Sequence, residues 1–184
     1  MHRHKTLHTL TTSRLILRQW TAFDIESFAV MSAKPDVMHY FPDILSEEQS
    51  TRLARTLQHD IAEQGWGIWA IVLRDTGEFI GFTGLRHQDG DIPLSPFIEI
   101  AWRLDSCFWH QGYATEAASA ALDFAFKTLS APAVYAFTTQ ANLPSIALMQ
   151  RLGMQDMALD FKHPQLDEAH PLVNHVLYGL SYEG

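Results

Sequence analysis

The chain reads as a single α/β domain built on a mixed sheet. Short alternating or apolar segments, rich in aromatic and β-branched residues, recur along its 184 residues and read as strands. Capping boxes and glycine stops bound the stretches of helical period between them. The order is rich in successive strands early and alternates strand and helix late, a βαβαβ pattern, so the sheet is expected to be mixed.

The elements follow in order. "SRLILRQW" (13–20) alternates, with Leu15 and Leu17 on one side, and reads as a strand. "TAFD" (21–24) fits a capping box in which Thr21 caps and Asp24 reaches back, opening a short helix with Ile25, Phe28 and Ala29 as its buried stripe. A second box, "SEEQ" (46–49), opens a longer helix carrying Leu53, Leu57 and Ile61, which ends at Gly65. "WGIWAIVLRD" and "GEFIGFTGLRH" read as two strands joined across "DTGE", with Thr76-Gly77 as the turn. The Pro-containing loop "GDIPLSP" leads to "FIEIAWRLD" (97–105), a third central strand.

Ala117, Ala118, Ala121, Leu122, Ala125 and Leu129 carry the next helix, whose alanines suit close packing on a sheet. "AVYAFTT" (133–139) is a strand. "NLPSIALMQRLG" (142–153) is a helix with Asn142 near its cap, Pro144 in its first turn and Gly153 as its stop. Further strands are expected at "MALDF" and at "HVLYGL" (175–180).

Composition narrows the function. With 47% hydrophobic and 18% charged residues the chain is an ordinary globular protein. A formal charge of -8 opposes binding to a nucleic-acid backbone, though an acidic cleft suits a cationic amine. No apolar run is long enough for a signal peptide or a membrane span, so the expectation is a cytoplasmic protein. Cys107 is the single cysteine, which excludes an internal disulfide and reads as a small buried hydrophobe. Residues 1–10, with His2, His4 and His8, read as a flexible tail rather than a metal site. His163, His170 and His175 lack compact ligand spacing, and no metal is expected.

"WHQGYATEA" (109–117) is the stretch that points to chemistry. A strand, this turn and a helix make a unit in which the helix N-terminus leaves unpartnered N–H groups and a partial positive charge. That end suits a pyrophosphate. Gly112 lets the backbone approach closely, Ala114 nearly so, and the Thr115 hydroxyl adds a donor. Many such turns bind nothing, but a second strand–helix unit follows at 133–153, and two side by side make a crevice at the strands' C-terminal ends.

"TSRLILRQWTAFDIESF", "IGFTGL", "IEIAWRLDSCFWHQGYATEAASAALDFAF", "NLPSIALMQRLGM" and "HPLVNHVLYGL" resemble, in that order, the GNAT superfamily of N-acetyltransferases and within it the RimJ/RimL-like branch. The resemblance covers nearly the whole chain. It implies a domain over 11–184 with a mixed central sheet flanked by helices and splayed to form an acetyl-CoA crevice. The superfamily's phosphate-loop pattern begins with Arg or Gln, where this chain has Trp109, an aromatic that the branch tolerates. The resemblance also implies that His110, Gln111, Gly112, Tyr113, Ala114 and Thr115 offer amides to the pyrophosphate. Ala101, Trp102, Arg103 and Leu104 would pair with the pantetheine arm, and Asn142 would reach it from the other side.

For chemistry the resemblance implies direct transfer of an acetyl group from acetyl-CoA to a primary amine, on a small molecule or at a peptide N-terminus, by a monomer or homodimer. Glu99 is the candidate base, with a salt-bridged strand residue as the alternative. Ser145 is the candidate acid, with a local backbone partner as the alternative and Tyr135 and Tyr113 as more distant donors. Phe41 and Trp66 are expected to wall the acceptor pocket, whereas Trp69 reads as core. The competing class is a non-catalytic acyl-CoA-binding module. A dinucleotide-binding reading fails, because "HQGYAT" lacks the required glycine series.

Overall fold

The computed structural model describes residues 5–182. In chain order the elements are β1 (Leu10–Thr11), β2 (Leu15–Arg18), α1 (Ala22–Ser32), α2 (Glu47–Gln64), β3 (Ile68–Leu73), β4 (Phe79–Gln88) and β5 (Phe97–Leu104). A single 3-10 turn at Ser106–Phe108 precedes α3 (Tyr113–Lys127), β6 (Ala133–Thr139), α4 (Leu143–Arg151), β7 (Gln155–Asp156), β8 (Phe161–Lys162) and β9 (Asn174–Ser181). The strands form one sheet in the order β1-β2-β3-β4-β5-β6-β9-β7, with β8 also on β9. Of these pairings only β5–β6 is parallel.

Both capping boxes form. Thr21 accepts from the Asp24 amide while Asp24 reaches back, and Ser46 and Gln49 do the same on α2. Gly65 ends α2 in the left-handed region at φ 84°, a conformation that costs glycine nothing.

Strand register settles which helix covers which face. Trp69, Thr83 and Trp102 are successive partners and share a face, and Trp69 meets Phe124 of α3 at 5.3 Å. Phe82 and Arg103 are partners on the opposite face, where Phe28 of α1 meets Phe82 at 5.8 Å. The sheet is thus sandwiched between α1 and α3. Buried Trp69, Phe28, Leu15, Leu17, Met31 and Ile61 form much of the core, and burying side chains of this size contributes roughly 1.5–3 kcal/mol each.

Three expectations change. "MALDF" is not a strand: Met157–Asp160 is irregular and links the two-residue strands β7 and β8, both on the edge of β9. Cys107 is exposed rather than buried, because it sits on the 3-10 turn that caps the end of β5, 4.0 Å from the Lys34 ammonium. Within the expected loose tail, His2 and His4 lie outside the described residues, but His8 is held. Its amide donates to Gly65 O at 2.8 Å, its carbonyl accepts from Trp69 Nε1 at 2.9 Å, and its ring meets Phe124 at 4.9 Å. Trp69 is core, as expected. Among the described residues no helix is long and apolar enough to cross a membrane.

Candidate active site

β5 and β6 are partners at Ile98–Val134 and Glu99–Tyr135 and then part. The remaining stretch of β5, Ile100–Leu104, keeps β4 on one side and opens onto a crevice on the other. Main-chain direction along it alternates. Asp105 N–H donates to Ile80 O and Ala101 O accepts from the Thr83 hydroxyl, so Ala101 and Arg103 turn their backbone to β4. Trp102 and Leu104 therefore turn theirs to the crevice, joined by Ile100, which the sequence did not single out. The Leu104 carbonyl accepts the Trp109 indole N–H at 3.0 Å, a role for the aromatic that opens the turn.

The turn itself winds through two left-handed residues, His110 at φ 60° and Gly112 at φ 80°, before α3 begins at Tyr113 with no side-chain cap. For histidine that conformation is uncommon, and with no side-chain cap the first backbone N–H groups of α3 have no intrahelical partner. Arg14, which sequence patterning missed, lies beside this end. It donates to Gln111 O at 2.9 Å, pairs with Glu116 at 2.7 Å and stacks on the Tyr113 ring at 4.4 Å. Burial alone would raise the Glu116 carboxyl, but hydrogen bonds from Thr12 and from the Arg14 amide and side chain outweigh it and hold it below the usual range. Thr115 is partly buried in the first turn of α3, and Ala114 packs against the core.

On the α3 face, Trp102 donates its indole N–H to Ser145 Oγ at 3.3 Å, linking β5 to α4 across the crevice. Asn142 caps α4 by accepting from the Ser145 amide and donates to Thr138 Oγ1 at 2.9 Å. Its carboxamide keeps one donor hydrogen and one lone pair free.

The opposite face of the crevice holds Glu99, nearly inaccessible at 4%. Arg86 grips both its oxygens at 2.8 and 3.0 Å, and Gln88 Nε2 donates to it at 3.1 Å. The salt-bridged alternative thus describes its present partners. Tyr135, in register with Glu99, meets the Phe97 ring at 5.0 Å in a tilted arrangement. Further along this wall Phe137 meets Phe161 and His175, and the His163 and His175 rings stand 4.8 Å apart. Burial lowers the pKa of His163, which also feels Glu99 and Arg86, and that of His175.

Of the expected acceptor wall, Phe41 lies on the Glu99 face, over the Arg103 guanidinium at 4.2 Å. Trp66 precedes β3 and meets His87, the residue after Arg86 on β4, at 5.3 Å.

A family model described as an acetyltransferase (GNAT) domain matches residues 14–155. The uncharacterized N-acetyltransferase YnaD of Bacillus subtilis is 28% identical over 147 residues, 79% of this chain and 82% of its own length. Among solved structures, a GNAT-family acetyltransferase from Bacillus anthracis superposes with a TM-score of 0.79 at 22% identity, covering 95% of this chain and 98% of that one. RimL, a ribosomal L7/L12 α-N-protein acetyltransferase in complex with coenzyme A, superposes at 0.73 with 14% identity, covering 95% and 98%. These two likenesses carry the fold, and the family match carries the class. The chain belongs to the GNAT family and is an acetyltransferase.

Proposed function

We propose that the protein transfers an acetyl group from acetyl-CoA directly to a primary amine, with the RimJ/RimL-like acceptors, peptide α-amines, as the favoured class. The observation that carries this reading is the placement of Glu99 and Ser145 on opposite faces of the crevice where β5 and β6 part. A base on one face and a hydroxyl acid on the other suit an amine arriving from the first side and a sulfur leaving on the second.

Acetyl-CoA, when bound, supplies an acyl group activated as a thioester. The residues present fit it. Amides at His110–Thr115, beside the Arg14 cation, suit a pyrophosphate. The open main chain of Trp102 and the Leu104 N–H suit a pantetheine amide, the Leu104 carbonyl already accepting from Trp109; of the four strand residues expected to pair with it, Ala101 and Arg103 have their backbones turned to β4. Asn142, at the start of α4, keeps one donor hydrogen and one lone pair that suit the same arm.

Glu99 accepts the amine's proton, directly or through water, while Arg86 and Gln88 fix its position. The Ser145 hydroxyl already accepts from Trp102, which leaves its own hydrogen to donate to the leaving sulfur. Glu99→Gln tests the reading: turnover should fall by on the order of 10²-fold or more with CoA affinity nearly constant. A wild-type rate would remove Glu99 from the chemistry. Absence of CoA release with any amine or peptide would favour the acyl-CoA-binding alternative.

A further inference from the structure

Arg103 has two buried guanidinium nitrogens and no ion-pair partner among the described residues. Arg103, on the same face of β5 as Glu99, lays its guanidinium among Phe28, Phe41 and Phe82, with centroids 5.7, 4.2 and 5.3 Å away. Its Nε and Nη1 are sealed from solvent and have no hydrogen-bond partner among the described residues. Leaving buried donors unmade costs about 1–3 kcal/mol, more for a charged group. Asp105, the next acid along the strand, is committed to Lys34 at 2.7 and 2.8 Å. Burial lowers the pKa of Arg103 to about 10, so it remains a cation at neutral pH. Phe28 and Phe82 are buried, whereas Phe41 is 38% exposed on the segment between α1 and α2. Of the three rings around the guanidinium, Phe41 is thus the exposed one.

We propose that Arg103 is the acceptor pocket's anion-recognition residue and that the acceptor is a primary amine carrying a carboxylate some distance from the amine. A guanidinium fork matches a carboxylate with two parallel hydrogen bonds, and displacement of the Phe41 ring admits it. The spacing is set by the strand: Arg103 lies four residues beyond Glu99, roughly 13 Å along β5. An α-amino acid is too short to meet both groups, and a peptide with an acidic residue near its N-terminus or an extended ω-amino acid is long enough. This rests on the amine entering on the Glu99 face.

The test is calorimetric titration, with CoA present, of product-like probes in pairs: acetyl-Ser-Glu-Ala-amide against its Gln counterpart, and N-acetyl-6-aminohexanoate against its amide. The wild-type protein should bind the carboxylate member at least tenfold more tightly in one pair. Which pair discriminates separates a peptide from a small-molecule source. The ratio should collapse toward one in Arg103→Gln and be partly retained in Arg103→Lys. Equal binding within both wild-type pairs, which needs no variant to fold, would overturn the inference and leave Arg103 as a packing residue. The free-amine versions are then assayed for turnover. Carboxylate preference without acetylation would sink the transfer reading while keeping the recognition role.

Discussion

Arg86 and Glu99 hold one another through both carboxylate oxygens but are unequally exposed: side-chain accessibility is 49% for the arginine and 5% for the glutamate. Removing the exposed partner strands a buried charge, whereas Glu99→Gln leaves an oxygen that still accepts from Arg86. Arg86→Ala should therefore destabilise the fold by on the order of 1–3 kcal/mol, and Glu99→Gln by clearly less. Urea unfolding of both variants checks the order. A reversed order would mean that the pair is not what keeps Glu99 in place.

Gly112 is left-handed at φ 80°, and a Cβ there would stand 3.3 Å from Arg14 Nη2. Gly112→Ala should cost about 1–2 kcal/mol of stability through backbone strain. Gly112→Glu adds a negative charge where the pyrophosphate is expected and should weaken CoA binding far more than the alanine does. Calorimetry on folded variants decides, and unchanged affinity in Gly112→Glu would move the phosphate site away from this turn.

Trp102 and Ser145 should act as a unit. Ser145→Ala removes the donor and should slow turnover on the order of tenfold or more. Trp102→Phe removes only the indole N–H and should cost less. If Trp102 works through Ser145, the double variant is no slower than Ser145→Ala. Additive losses would assign the two residues independent roles.

His163 and His175 give the fold a pH dependence. Burial lowers both pKa values below 6.5, so the unfolded chain takes up protons first as pH falls. Their contribution to stability is intact above the ordinary histidine range and declines as pH drops through it toward the folded values. Unfolding free energy should fall from pH 7.5 to 5.5, and His175→Gln should flatten part of that fall. An identical slope in the variant would contradict this.

Much of the fold was legible because its signals are local. The Thr21–Asp24 and Ser46–Gln49 boxes and the Gly65 stop depend on neighbours a few residues apart. "MALDF" misled because its composition suits a strand, yet both short strands on the β9 edge fall at its ends. In the site, Gly112 and the helix it opens were readable from sequence. Arg86 was not paired with Glu99, since their match depends on register across an irregular loop. Arg14 was missed for the same kind of reason: its partner Glu116, on α3, lies 102 residues further along the chain.

If the opening between β5 and β6 is the acetyl-CoA cleft, hydrogen exchange of the wild-type protein should respond to CoA there. CoA should slow exchange at the Trp102 and Leu104 amides, which turn away from β4, and at the amides of 110–115. Ala101 and Arg103, already turned to β4, should change little. Unaltered exchange at Trp102, Leu104 and the turn, with protection appearing elsewhere in the chain, would contradict it.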